Sequence, residues 1–263
     1  MCLIFFSLKQ HPTYKLIVAA NRDEFYNRNT AAADFWKDFP SIVGGRDLEA
    51  NGTWMGMTKS GKISMLTNFR DPKNINPNAP SRGQLVSDYL EQTILPEDYL
   101  KQIESKASAY NGFNLLVGNP EEFCYLSNYK TGIDKITSGL HGLSNHLLET
   151  PWPKVKRGKQ KLELLLKSEH VTSQKLFEFL YDGERASDNQ LPDTGIGLER
   201  ERALSSMFIK SSGYGSRCST VILIDQENNV EFSERVYDLA TFEYSTKTFR
   251  FRIEDKDLGV FVT

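Results

Sequence analysis

The sequence predicts an antiparallel α+β fold built in layers. Short β-branched and aromatic runs come in pairs joined by turn residues. Helical spacing is confined to two blocks between those strand blocks, and strands never alternate one by one with helices as βαβ winding requires. The 263-residue chain has no Pro/Gly/Ser-rich linker and no repeat, so residues 1–263 read as one domain.

Residues 2–8 and 14–20 read as a hairpin turned at Pro12. A second hairpin is expected within 52–68, where Gly61 can take a positive φ, and its outgoing strand delivers Asn68, Phe69 and Arg70. The Gly44-Gly45 and Asn51-Gly52 pairs read as turns. A loop over 71–80 precedes a helix capped by Ser81 and running to Gln92, and a further helix is expected over 97–109 with Leu100, Ile103 and Ala107 on one face. Strands are expected at 113–118, 122–127 and 133–144, then helices at 153–168 and 173–181. Residues 182–216 read as a long loop with short helices. The last hairpin pairs 219–225 with 230–236.

Composition narrows the function classes. Thirty-two Lys+Arg against 34 Asp+Glu leave a formal charge of -2, which excludes the basic excess of a nucleic-acid binder. The three cysteines, Cys2, Cys124 and Cys218, are an odd number without a C-x-x-C, so neither a disulfide framework nor a thiolate zinc site is indicated and a reducing, cytoplasmic setting is expected. The apolar start, Cys2 to Phe6, lacks a basic flank and ends at Lys9, and no run is long enough for a membrane span. The start therefore reads as a strand.

Familiar catalytic motifs are absent: there is no Walker A, no H-E-x-x-H and no G-x-S-x-G. Gly213-Tyr214-Gly215 opens like a dinucleotide fingerprint, but the third glycine is missing and a strand follows. His141 and His146, at odd spacing, would lie on opposite faces of a strand, so no metal is expected. Cys2 remains. Methionine is usually removed ahead of a small residue, leaving a free α-amine on the residue that carries the thiol. With ordinary values of ~8.5 for the thiol and ~7.7–8.0 for the amine, the pair can act as nucleophile and base within one residue. The alternative is a small residue packed on the first strand. The helix opening at Pro153 carries Lys154, Lys156, Arg157, Lys159 and Lys161 outside a stripe of Val155, Leu162, Leu165 and Leu166. That basic face is either solvated or an anion contact, for a CoA-like phosphate or a haem propionate.

Several motifs in order carry a family resemblance: Asn21-Arg22-Asp23-Glu24, Gly44-Gly45-Arg46-Asp47, Asn51-Gly52-Thr53-Trp54, Leu66-Thr67-Asn68-Phe69-Arg70, Asn111-Gly112-Phe113-Asn114-Leu115, Gly142-Leu143-Ser144-Asn145 with Pro151-Trp152-Pro153-Lys154, and Tyr214-Gly215-Ser216-Arg217. Together they resemble the NRDE family, that of the transport and Golgi organisation protein 2, over Met1 to about Val236. That family is similar to N-terminal nucleophile hydrolases of the choloylglycine hydrolase and penicillin V acylase type. The resemblance implies a four-layer αββα sandwich of two antiparallel sheets, with amide hydrolysis or acyl transfer at Cys2. It implies that Asn21 and Glu24, or else Arg22 and Asp23, orient the cysteine, at the end of the second strand where the acylases carry an R-x-x-D motif. It further implies Asn68 and Asn145 as oxyanion donors and Arg217 as a partner of a carboxylate. No cofactor is required on this reading, and the partner is a small-molecule substrate. The resemblance also implies an alternative: a non-catalytic carrier of haem, an acyl-CoA or a lipid in the same pocket, with His141, His146 or Cys2 available to iron.

Overall fold

The computed structural model describes residues 2–168 and 170–254. The Met1 and 255–263 ends of the expected domain lie outside them. The chain runs β1 (Cys2–Leu8), β2 (Tyr14–Phe25), β3 (Thr30–Phe35), β4 (Ile42–Asp47), β5 (Met55–Thr58) and β6 (Ile63–Asn68) before the first helices, α1 (Gln84–Glu91) and α2 (Pro96–Glu104). Next come β7 (Phe113–Gly118), β8 (Phe123–Ser127), β9 (Asp134–Ile136) and β10 (Gly139–Leu143), then α3 (Pro153–Leu166), α4 (Ser173–Leu180) and α5 (Leu198–Ala203). The strands β11 (Lys210–Ser211), β12 (Tyr214–Asp225), β13 (Asn229–Tyr237) and β14 (Tyr244–Arg252) complete it.

Two antiparallel sheets result. One is ordered β10-β1-β2-β12-β13-β14 with β11 on β12, and the other runs β3 to β9 in sequence order. Alternation along the strands sorts side chains into layers. On β1, Cys2, Ile4, Phe6 and Leu8 join Val18, Met57, Ile63 and Ile222 between the sheets, while Leu3 and Phe5 face outward beneath Val155, Leu162, Leu176 and Phe177 of α3 and α4. On the other sheet, Leu115 and Val117 meet Leu85, Tyr89 and Leu100 of α1 and α2. The order of layers is therefore helix, sheet, sheet, helix. Among the described residues no helix is long and apolar enough to cross a membrane.

Several expectations need correction. The strand expected over 133–144 is two strands in different sheets, because Gly139 at φ +122 redirects the chain from β9 to β10. Gly44 and Gly45 do not turn the chain: both are buried in β4, where a Cβ on Gly45 would stand 2.2 Å from the Trp54 ring. Ser81 does not cap α1. The helix starts after Gly83, whose carbonyl accepts from the Thr53 N–H at 3.2 Å, and residues 81–83 are drawn against the Gly52 turn instead. The 182–216 segment holds α5, β11 and the start of β12. Lys154 is not on a solvated face but 2% exposed, on the buried side of α3 with Val155, Gly158 and Leu162. Of the rest of that basic face, Arg157 and Lys161 meet Asp182 and Lys159 meets Glu149, while Lys156 is exposed as expected.

Candidate active site at the start of the first strand

Antiparallel register sets Cys2 opposite Arg22, and Arg22 in turn opposite Cys218, on three adjacent strands. Cys2 is 7% exposed. It lines a cavity of about 440 Å³ with Arg22, Asp23, Glu24, Asn68 and Trp54, closed on another side by Ala79, Pro80, Ser81, Arg82 and Gly83. Of the eight residues expected at the site, five therefore share one cavity wall: Cys2, Arg22, Asp23, Glu24 and Asn68.

Arg22 is fixed from several directions. Its guanidinium carbon lies 4.2 Å over the Trp54 ring, its Nη1 donates to Thr30 Oγ1 at 3.0 Å, and its Nη2 stands 3.9 Å from Glu24 and 4.0 Å from Asp47. Trp54 reaches that position because Gly45 leaves room for its ring. Asp47 also accepts from Arg28 Nε at 2.7 Å. These contacts lock a chain of alternating charge, with geometry that a flexible surface pair lacks.

Asp23 is fully buried and accepts from Ser216 Oγ at 2.6 Å. Burial pushes its carboxyl above the usual range, and the Lys154 charge opposes that push. Burial lowers the Lys154 ammonium to about 8, while Asp23 pulls the other way. Burial raises Glu24, but the N-terminal ammonium charge, the Phe25 N–H and the Arg22 and Arg28 charges together outweigh it, leaving Glu24 below its ordinary value. Burial also raises the Cys2 thiol, an effect only partly offset by the N-terminal ammonium and Arg22 charges. The near match between free thiol and free amine therefore does not carry into the folded site. A thiol in this environment rests protonated and needs a base at the moment of attack.

The other three expected residues are placed elsewhere. Asn21 faces the helical layer, where its Nδ2 donates to Met207 O at 2.8 Å and Leu180 O at 3.0 Å and its Oδ1 accepts from Ser219. Asn145 is fully buried behind Asn68, and its Nδ2 donates to Asn68 O at 3.1 Å, which supports the turn that presents Asn68. Arg217 is the extra residue of a bulge between Ser216 and Cys218, and its guanidinium donates to the carbonyls of Phe25, at 3.0 Å, and Arg28. It braces the turn after β2 rather than lining the cavity.

Residues outside the expected set complete the site. Arg28, Asp47, Trp54, Arg82 and Asn111 line the same cavity. Asp47, Trp54 and Asn111 fall within the ordered motifs, which was the available signal. Arg82 follows an aperiodic loop and carried none. Beneath the site, Arg70 and Glu201 form an ion pair of 2.8 Å, 6% and 4% exposed. A second cavity of about 450 Å³, walled by Phe25, Ile75, Ile196, Leu204 and Tyr214, shares Phe25 with the first and is mostly apolar.

Of the three residues expected to be available to iron, Cys2 lines this cavity and the two histidines stand away from it. His141 shares a hydrogen bond with Ser138 O at 3.0 Å and stacks on Phe6, and His146 bonds Thr150 Oγ1 at 2.9 Å between Phe69 and Trp152. Neither lines the Cys2 cavity, and the described residues contain no metal-binding cluster of His, Cys, Asp and Glu.

The layer order, with a cysteine at the start of an inner strand, defines the fold class of N-terminal nucleophile hydrolases. Solved structures agree on the fold. A Caenorhabditis elegans ortholog of N-acylethanolamine-hydrolyzing acid amidase superimposes with a TM-score of 0.50 at 11% identity, covering 84% of this chain and 92% of that one. The C2A mutant of conjugated bile acid hydrolase from Clostridium perfringens gives 0.50 at 8% identity, with 97% and 98% coverage. A profile of the Transport and Golgi organisation 2 family matches residues 1–239, and the chain belongs to that family. The chain is 37% identical to the Transport and Golgi organization 2 homolog of Mus musculus over 97% of its length and all of that protein's. The Homo sapiens homolog gives the same figures, and the Drosophila melanogaster protein is 33% identical over 89% of this chain and 91% of its own.

Proposed function

We propose that the protein hydrolyses a linear amide or thioester, or transfers its acyl group, through Cys2. The observation that carries this reading is the single cavity in which Cys2 meets Arg22, Asp23, Glu24 and Asn68. The amidase and bile acid hydrolase likenesses supply the reaction type by analogy of fold. The neighbouring apolar cavity suits an acyl chain.

Met1 lies outside the described residues, and the mechanism requires its removal. The freed Cys2 amine takes the Sγ proton as sulfur bonds the carbonyl carbon, and the carbonyl oxygen becomes an oxyanion that the Asn68 amide stabilises. Collapse breaks the bond to the leaving nitrogen or sulfur, which takes the proton from the ammonium. Water then attacks the thioester, gives its proton to the amine, and releases the carboxylic acid with the thiol restored. An acceptor amine in place of water gives transfer. Asp23 and Glu24 supply negative charge that favours the ammonium, and Arg22 holds Glu24 in place. A reducing compartment such as the cytoplasm keeps Cys2 a free thiol.

The test is release of nitroaniline from N-decanoyl-p-nitroanilide, and of nitrophenol from its ester, by Met1-free protein and its Cys2→Ala variant. The reading expects saturable turnover that falls by about 10³-fold or more in the variant. Equal turnover by the two proteins contradicts it, and saturable binding without product favours a carrier.

A further inference from the structure

Three arginines line the Cys2 cavity, and they differ in what answers their charge. Arg22 lies 3.9 Å from Glu24 and 4.0 Å from Asp47, and Arg28 lies 2.7 Å from Asp47 and 3.6 Å from Glu49. Arg82 has no carboxylate within 4.0 Å among the described residues. Its side-chain bond is from Nη1 to the neutral carbonyl of Gly112, at 2.9 Å. It lies on the wall shared by the Cys2 cavity and an adjoining one of about 190 Å³. The Glu24 charge acts on it across that space without reaching it, and the Arg28 charge opposes that effect.

A guanidinium has five N–H donors in a fixed fork. Gly112 occupies one nitrogen, and among the described residues no other protein acceptor takes the rest of the fork. A partly desolvated cation without an anion is unfavourable, and a carboxylate or phosphate that meets the fork removes that cost. The apolar cavity shares Phe25 with the Cys2 cavity, and shares Arg70 and Ile75 with the adjoining cavity that Arg82 also lines. A substrate with its acyl chain against Phe25 and Tyr214 and its carbonyl at Cys2 has its remaining half in the space that Arg82 lines.

We infer that Arg82 is a specificity-determining residue that receives an anionic leaving group, so that the substrate is an acyl chain joined through its amide or thioester to a group bearing a carboxylate or phosphate. This rests on the reading of Cys2 as the acyl acceptor. Arg82 acts by binding, not by moving a proton.

Equilibrium binding to the full-length Cys2→Ala protein separates binding from turnover. The probes are N-decanoylglycine, N-decanoylphosphoethanolamine and the neutral N-decanoylglycinamide. One anionic probe is expected to bind about tenfold or more tightly than the glycinamide, and which one it is distinguishes carboxylate from phosphate. Adding Arg82→Gln removes the preference. If that variant fails to fold, Arg82→Lys, which lacks the fork, reduces the preference by about threefold or more. Equal affinity for all three probes overturns the inference, as does a preference that survives Arg82→Gln or, in its place, Arg82→Lys. Wild-type protein that keeps the preference but releases no decanoate contradicts the hydrolase reading and leaves the anion site standing.

Discussion

Strands β1, β2 and β12 carry two unlike regions on one face. At the far end, Phe6, Leu8, Leu16, Val18, Ile222 and Ile224 pack between the sheets as a dry core. At the near end the same alternation passes from Ile4, Ala20 and Thr220 to Cys2, Arg22 and Cys218, and the face becomes charged. Backbone pairing is continuous through both ends. The difference lies in what covers them: the far end is closed by Met57 and Ile63 of the second sheet, and the near end by an arginine stacked on a tryptophan and by the 79–83 loop. The sheet sets the position of the site, and buried charge pairing sets its chemistry.

The sharpest way to break the comparison is at the base of the charged end. Glu201→Ala leaves Arg70 as an unpaired buried cation and is expected to cost about 3–5 kcal/mol in urea unfolding, with loss of Cys2 acylation in the protein that remains folded. Ile222→Ala at the dry end is expected to cost about 2–5 kcal/mol while the folded fraction acylates Cys2 at the wild-type rate. Equal effects of both variants on acylation would erase the distinction between the two ends. Gly45→Ala comes next. Its Cβ displaces Trp54, so a loss of about 1–3 kcal/mol is expected together with slower acylation, because the ring beneath Arg22 moves.

The smallest expected effect is on pH dependence. Lys154 is held at about 8 in the folded protein against an ordinary 10.5. Between those values the unfolded chain binds a proton that the folded chain lacks, so the Lys154 contribution to stability rises with pH across that window. The stability of wild type relative to Lys154→Met, read from urea midpoints, should therefore increase from pH 8 towards 10.5. A wild-type stability that stays constant or falls relative to Lys154→Met over that window contradicts the buried placement of the ammonium.

Local periodicity makes much of this fold legible. The first hairpin follows from its two apolar runs and the turn at Pro12, whereas β1 is buried on both faces and its pattern alone does not say which of them Cys2 takes. β14 is harder to read: Tyr244 to Thr248 are exposed and mostly polar, and only Phe249 and Phe251, alternating with Arg250 and Arg252, pack on the core between the sheets. Gly44 and Gly45 read as a turn because glycine permits one, while the real reason for Gly45 is a ring that arrives from Trp54. Lys154 read as solvated because charge implies exposure, yet Gly158 four residues later marks the same helix face as tightly approached by Phe5. The cavity residues on strands lay in ordered motifs. Arg82 depends on where an aperiodic loop lands, and no spacing rule reports that.

The most direct test of the central claim is intact-mass and peptide mapping of the purified protein after incubation with p-nitrophenyl decanoate. The account predicts a mature chain that lacks Met1 and carries one decanoyl group on Cys2, absent from Cys2→Ala and cleared with time by water. A retained Met1 in protein that still turns over, or decanoylation unchanged in Cys2→Ala, would contradict it.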